Sequence, residues 1–242
     1  MSVTTELNIT WEKLPKDFIL EEEAVENINQ PILAAALRDS LEVSGHLQDT
    51  ILVASNLGIC ATLNGKLVIK APDWFYARNV ASLPAPEVRR SYTPNLEGDT
   101  PAIVMEFLSE TPGDEYSIKP TYPPGKWYFY EKILRVPCYA IFESISGLLE
   151  VYGLTSSGNY QLLKPDENNR FWIEGVGLFL GVWQGTKAER TGFWLRWWNP
   201  NGEMLLWGVE LLEKERQEKE IVRQRAERLA AQLRAAGIEP EV

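Results

Sequence analysis

Histidine is almost missing from this chain of 242 residues, because His46 is the only one. It stands in the segment VSGHLQD, which is typical of a turn, and we interpret it as a loop residue rather than a catalyst. The scarcity of histidine disfavours a histidine-rich zinc site and a Ser-His-Asp triad. Any chemistry must therefore rest on carboxylates, lysines and a hard cation.

Cysteine and long apolar runs are also scarce. Cys60 and Cys138 are the only cysteines, they form no CxxC pair, and each lies in an apolar run, which predicts two reduced core thiols in a cytoplasmic protein. No stretch of eighteen apolar residues occurs, so we expect no transmembrane helix and no membrane partner. The polar, acidic start of the sequence does not have the pattern of a secretory signal.

An excess of basic residues is lacking as well, since the formal charge is −10. This charge argues against a general, high-affinity nucleic-acid binder. A polyanion would have to approach a face away from the acidic start, or approach with a divalent metal already bound. The acidic surplus lies early in the chain, where Lys13 and Lys16 are outnumbered by Glu6, Glu12, Asp17, Glu21, Glu22, Glu23 and Glu26.

The order of periodic segments predicts one α/β (α+β) domain over residues 1–208, with a mixed central sheet flanked by helices and extra β-hairpins towards its C-terminal end. Helices are expected over 31–43, after Asn29-Gln30, and over 126–135. The turn Asn64-Gly65 predicts a hairpin, and a second hairpin is expected to turn at Asn201-Gly202. Residues 79–100 and 111–125 are expected to be irregular. The strand-like segments are 50–57, 66–77, 101–110, 136–144, 148–155, NYQLLKP, RFWIEG, GLFLGVWQG and the two arms of 191–208.

Residues 209–242 form a charged C-terminal segment that predicts a long helix ending near Gly237 and Pro240. Steps of three and four residues give a coiled-coil seam that is apolar only in its second half. Dimerisation through this helix and a solvated helix on the body of the same subunit are equally compatible with the pattern. The seam consists of Leu212, Glu215, Lys219, Val222, Ala226, Leu229, Leu233 and Ala236.

Two acids stand inside strand-like segments. Glu106 interrupts the apolar run AIVMEFL, and burial of an unpaired carboxylate is so costly that such a residue is usually paired, protonated or bound to metal. Asp73 follows Pro72 within KLVIKAPDWFYA. A salt-bridged Glu106 and an Asp73 at a strand end are the simple structural explanations. Neighbouring strands would instead bring the two carboxylates together at a Mg²⁺ or Mn²⁺ ion. Lys126, at the start of the next helix, would add a positive charge, which completes a set of groups suited to phosphodiester hydrolysis.

These residues resemble the PD-(D/E)XK nuclease superfamily, and more narrowly a large bacterial family of restriction-endonuclease-like proteins that is numerous in cyanobacteria. The similarity spans roughly residues 15–165. It implies a restriction-endonuclease-like core, a DNA substrate, and a metal held by Asp73, Glu106 and the backbone carbonyl of Phe107. The matching motifs are Pro72-Asp73, Glu106-Phe107-Leu108-Ser109, Lys126 with Tyr130, and Arg135-Val136-Pro137-Cys138-Tyr139 with Glu143.

The sequence departs from the family pattern at three places. Leu108 replaces the lysine of Glu-x-Lys, and the resemblance implies that Lys126 takes over that role. Tyr122 stands where the family has an aspartate four residues before the lysine, and Asn29-Gln30 stands where the first helix often has histidine. Gln30 and Tyr130 are expected to support the site, Tyr130 by orienting Lys126, although an aromatic residue on a helix is more often part of the core.

Two functions of different classes follow. The first is a Mg²⁺-dependent endonuclease acting on DNA phosphodiesters, which could dimerise to cut both strands. The second is a catalytically inactive nuclease fold that binds or assembles through its tail and aromatic hairpins. No P-loop, GxGxxG or nucleophile elbow indicates an enzyme acting on a small organic substrate. Hairpin packing is the favoured explanation, over base stacking, for Trp172, Trp183, Trp194, Trp197, Trp198 and Trp207.

Overall fold

A computed structural model describes residues 7–14, 28–108, 114–187 and 189–236. The chain divides into two units, residues 1–205 and residues 206–242. The second unit contains one long helix. The first unit is a mixed α+β structure with several sheets. Its strands are β1 (Ile9–Thr10), β2 (Leu52–Ala54), β3 (Gly58–Leu63), β4 (Lys66–Lys70), β5 (Trp74–Ala77), β6 (Ser91–Tyr92), β7 (Ile103–Phe107), β8 (Cys138–Glu143), β9 (Leu148–Leu154), β10 (Tyr160–Leu162), β11 (Arg170–Ile173), β12 (Leu178–Lys187) and β13 (Arg190–Trp198).

The helices have simple sequence causes. The helix α1 (Asn29–Val43) buries Leu33, Ala36, Leu37 and Leu41, which form one apolar face at helical spacing. A short helix, α2 (Lys126–Tyr128), continues as a π-helix over Phe129–Leu134. The expected helix over 126–135 is therefore present, but most of it has the wider π-helical turn.

A tight turn at Asn64-Gly65 joins β3 to β4. Both residues have positive φ, 50° and 75°, which a type I′ hairpin turn requires, and the two strands pair in antiparallel register from Leu63 and Lys66. The expected hairpin is confirmed. Because every residue of β3 is buried, the segment GICATL lacks the alternation that marks a strand, and the sequence did not indicate it.

The central sheet is mixed and has six strands in the order β10-β9-β8-β7-β5-β2. The strands β7 and β8 are parallel, and the other neighbouring pairs are antiparallel. All five residues of β7 are buried, as expected of a strand covered on both faces. One hydrophobic core packs the sheet against the π-helix through Phe75, Val104, Tyr130 and Ile141.

The expected single strand over 66–77 is wrong. Residues 71–73 break it into β4, which pairs with β3, and β5, which lies in the central sheet. Pro72 has no N–H to donate to a strand ladder, so the chain changes sheets at this point. Asp73 consequently stands immediately before β5 rather than in the middle of a strand.

The third sheet has the order β11-β12-β13 and holds most of the tryptophans. Trp194 and Trp197 are fully buried, whereas Trp172 is 40% exposed. The hairpin expected over 191–208 is also wrong, apart from the turn at its centre. The strand β13 pairs along its whole length with β12, and the chain beyond Asn201-Gly202 returns only as a single bridge between Trp198 and Met204.

The second unit contains α3 (Gly208–Ala235), in which the side chain of Glu210 accepts a hydrogen bond from the Trp207 N–H at 2.8 Å. No residue of α3 is buried. Gly237 and Pro240, the expected helix stop, lie outside the described residues. Within the described ranges, no helix combines the length and the apolar character that a bilayer crossing requires. The exposed apolar residues of α3 are Val209, Leu212, Ile221, Val222, Leu229 and Leu233.

The remaining scarce residues are structural. Cys60 and Cys138 are buried and free, as expected. His46 lies in the turn after α1, where its Nδ1 and the hydroxyl of Ser44 are 2.8 Å apart. Neither the thiols nor the imidazole contributes to the acidic site described next.

Candidate functional site

Register brings Asp73 and Glu106 together. The strands β5 and β7 are antiparallel neighbours in which Trp74 pairs with Met105, so Asp73 stands beside Glu106. The Asp73 side chain accepts a hydrogen bond from the Phe107 N–H at 2.6 Å. Two carboxyl groups that stand side by side disfavour the ionised form of each other.

Glu106 is fully buried and has a donor on each oxygen. The Tyr130 hydroxyl donates to Oε1 at 2.9 Å, and the Lys126 Nζ donates to Oε2 at 3.1 Å. Burial raises the pKa of Glu106 to about 8. The positive charge of Lys126 opposes this rise, and the negative charge of Asp73 adds to it. Burial also raises the pKa of Asp73. Glu106 therefore keeps its proton at neutral pH.

The helix that follows presents Lys126 and Tyr130 on one face, because residues four apart lie one turn from each other. Burial alone would lower the pKa of Lys126, but the carboxylates of Glu106, Glu115 and Asp73 outweigh it and raise this pKa. The amine therefore stays protonated, so it serves as a fixed positive charge and not as a base.

The start of this helix is fixed by the irregular segment before it. A Cβ at Gly125 would lie 2.2 Å from the Ser117 carbonyl oxygen, so only glycine fits this close approach. Asp114 accepts hydrogen bonds from the Lys70 Nζ, at 2.9 Å, and from the main-chain N–H of Lys126. Partial burial opposes the effect, but the bonds from Lys70 lower the pKa of Asp114.

Glu115 is a site residue that the sequence analysis missed. Its carboxylate lies 3.8 Å from the Lys126 Nζ, and its carbonyl accepts a hydrogen bond of 2.9 Å from the Tyr139 hydroxyl. It belongs to a segment without helical or strand periodicity, so no pattern indicated which of its acids turns back to the site. The pairing of Tyr139 with a loop carbonyl likewise has no signal in the sequence.

Gln30 reaches the site from the first turn of α1, where its Nε2 donates to the Phe107 carbonyl at 3.0 Å. The structure thus brings all the expected residues together: Asp73, Glu106, Lys126, Tyr130, Gln30 and the carbonyl of Phe107. Glu143, which matches the last motif position, is at the far end of β8 and bonds to Ser146 instead.

The donor set fits a hard divalent cation, since two adjacent carboxyl groups and one carbonyl offer only oxygen ligands. A cation would also stabilise the two neighbouring negative charges. Among the residues that the structure describes, no group of three or more His, Cys, Asp or Glu side chains could hold a metal. A metal here would therefore use two side chains and the Phe107 carbonyl.

The hydrogen bond from Tyr130 to Glu106 gives a first prediction. Tyr130→Phe removes the donor to Oε1 and leaves a buried carboxylate oxygen with less compensation, so we expect the free energy of unfolding at pH 9 to fall by about 2 kcal/mol. Tyr139→Phe is the matched control, because Tyr139 is equally buried but donates to an uncharged carbonyl. Its loss should be smaller, about 1 kcal/mol. Urea unfolding of both variants measures the difference, and equal losses would contradict the charged character of the Tyr130 bond.

A comparison of the chain with models of known protein families and with curated proteins finds no match.

Proposed function

We propose that this protein is a Mg²⁺- or Mn²⁺-dependent endonuclease with a restriction-endonuclease-like core that hydrolyses DNA phosphodiester bonds. The observation that carries the proposal is the adjacent pair of acids, the half-buried Asp73 and the buried Glu106, with the protonated amine of Lys126 3.1 Å from Glu106. A cation that replaces the proton of such a pair is held by both acids and balances their charges.

The order of elements supports the same proposal. A helix is followed by the strand bearing Asp73 at its start, the antiparallel strand bearing Glu106, a helix bearing Lys126, and a parallel strand. This order is the one implied by the resemblance to PD-(D/E)XK nucleases. Membership of the bacterial family of restriction-endonuclease-like proteins is proposed from the same order of elements.

Each residue has a role in the proposed reaction. Asp73, Glu106 and the Phe107 carbonyl would hold the ion, which when bound polarises the phosphate and lowers the pKa of water. Lys126 places a positive charge where the phosphate gains negative charge. Tyr130 and Gln30 hold Glu106 and the Phe107 carbonyl in place through hydrogen bonds of 2.9 and 3.0 Å.

The proposal predicts that calorimetric titration with Mn²⁺ detects binding to the native protein and none to Glu106→Ala, because one of only two side-chain ligands is lost. Glu87→Ala, which removes an exposed carboxylate, is the matched control and should bind as the native protein does. Cleavage is then assayed on duplex, single-stranded and supercoiled DNA.

Equal binding of Mn²⁺ by the native protein and Glu106→Ala, or binding by neither, would remove the nuclease proposal. The second candidate, a catalytically inactive fold that binds or assembles with partners, would then take its place. It draws on the exposed apolar residues of α3 and on the donors that already engage both oxygens of Glu106. Sedimentation of the full chain would test whether this helix forms a homodimer.

A further inference from the structure

An aromatic cluster adjoins the acidic site and has no part in holding the metal. We call Tyr116, Trp127 and Tyr152 the aromatic platform. Tyr116 directly follows Glu115, and Trp127 directly follows Lys126. Since Glu115 and Lys126 lie 3.8 Å apart at the site, the platform begins at its edge.

The platform is held rigidly. The rings of Tyr116 and Trp127 stack with centroids 6.3 Å apart and planes inclined by 26°. Trp127 also packs edge-to-face against Tyr152, at 4.7 Å, and against Tyr139 and Tyr160. The carboxylate of Glu150 accepts a hydrogen bond from the Tyr116 hydroxyl at 2.5 Å and also bonds to Tyr152. These contacts fix the ring of Tyr116 before any ligand arrives.

Nearly half of Tyr116 is nevertheless exposed, 47% of its surface. The Tyr116 hydroxyl is already hydrogen-bonded, and the ring is fixed but exposed. Tyr116 therefore offers a flat apolar surface and not a hydrogen-bonding edge. A nucleobase is the part of a nucleic acid that fits such a surface, because stacking on an aromatic ring needs only its π-face. Bases inside a duplex already have both faces covered, so only an unpaired base can use the platform.

The segment of Tyr116 carries two acids, but each is paired with a lysine: Asp114 with Lys70, and Glu115 with Lys126. Lys119, three residues after Tyr116, is exposed, and Lys66 lies over the ring of Tyr122, with its Nζ 5.1 Å from the centroid. Tyr122 is itself 53% exposed. Aromatic rings interleaved with lysines are typical of surfaces that follow a single strand of nucleic acid.

We therefore propose that Tyr116 stacks an unpaired base next to the scissile phosphate, which makes single-stranded DNA the preferred substrate. This inference rests on the proposed nuclease function, which it deepens by naming the substrate. It predicts that a labelled single-stranded oligonucleotide binds more tightly than a duplex of the same sequence in Ca²⁺. Fluorescence anisotropy with the full chain measures both.

Tyr116→Ala should weaken binding of the single strand roughly 5- to 150-fold, the range for loss of one base–aromatic stack, and leave duplex binding unchanged. Tyr116→Phe keeps the ring and should keep most of the affinity. Trp172→Ala is the matched control, since Trp172 is also an exposed aromatic residue that packs on another ring and bonds to a glutamate. Thermal unfolding of each variant checks that it is folded.

Several results would overturn the inference. These are equal binding of single strand and duplex by the native protein, no binding of the single strand, or an equal effect of Tyr116→Ala and Trp172→Ala. Failure of the nuclease proposal has a different signature, because it appears as no Mn²⁺ binding and no cleavage. Duplex cleavage that is unchanged in Tyr116→Ala, with no preference for single strands, would overturn only the proposed stacking of a base on Tyr116.

Discussion

Glu106→Gln is expected to make the metal-free protein more stable at pH 9, by about 5 kcal/mol relative to the native protein, while the two differ little at pH 4. The native state retains the proton of Glu106 up to a pKa of about 8, whereas the unfolded chain releases it near the ordinary value of 4.5. Unfolding therefore releases a proton between these values, and stability falls as the pH rises through them. A pKa difference of this size corresponds to a penalty of about 5 kcal/mol.

The measurement is urea unfolding in EDTA from pH 4 to pH 9. Glutamine is uncharged at every pH. Its one carbonyl oxygen can accept the hydrogen bond from Lys126 while its NH2 group donates to the Tyr130 hydroxyl, so the variant should lack the decline between pH 4.5 and pH 8. Glu87→Gln, on the exposed surface, is the control and should decline as the native protein does. If native and Glu106→Gln curves stay parallel over this range, the carboxyl is not the buried, protonated group described above.

The fold was predictable where local chemistry decides it. The turn Asn64-Gly65 fixes a hairpin by its need for positive φ, and the apolar stripe of Leu33, Leu37 and Leu41 fixes a helix face. The two errors have one cause. Pro72 ends β4 and sends the chain to another sheet, and β13 pairs with β12 rather than with the segment that follows it. Pairing between strands depends on contacts between distant segments, which periodicity does not report.

The site was predictable in its charged residues and not in its supports. Glu106 attracts attention because a carboxylate in an apolar run is costly. Asp73 stands out as a second acid among strand-like residues, and Lys126 as the positive charge at the start of the next helix. Glu115 and Asp114 belong to an irregular segment whose path is set by a close approach at Gly125. Such an approach depends on the folded backbone, so only the structure shows it.

The proton of Glu106 and the proposed cation compete for the same site. The native state retains this proton because burial and the adjacent charge of Asp73 disfavour the ionised form of Glu106. A cation that removes this penalty would stabilise the fold by the same linkage. The instability at high pH, expected for the metal-free protein, is thus the energetic counterpart of metal affinity.

Lys126→Met is expected to lower the cleavage rate by about 10²- to 10³-fold, the usual effect of removing one fixed charge or donor from a transition state. The amine stays protonated because three carboxylates raise its pKa, so it acts by its charge. Methionine preserves the apolar stem, and the proposed metal ligands Asp73 and Glu106 remain. Affinity for Mg²⁺ should therefore change far less than the rate, which single-turnover kinetics and calorimetry measure separately.

Lys132→Met is the matched control, because Lys132 lies on the same helical segment and its Nζ is also 3.1 Å from a glutamate, Glu131. It points to Gly158 and Asn159 instead of the site, so its loss should leave the rate close to the native value. A parallel fall of rate and Mg²⁺ affinity in Lys126→Met would show that the lysine only holds Glu106 in place. A fall in rate alone identifies its charge as the group that meets the phosphate.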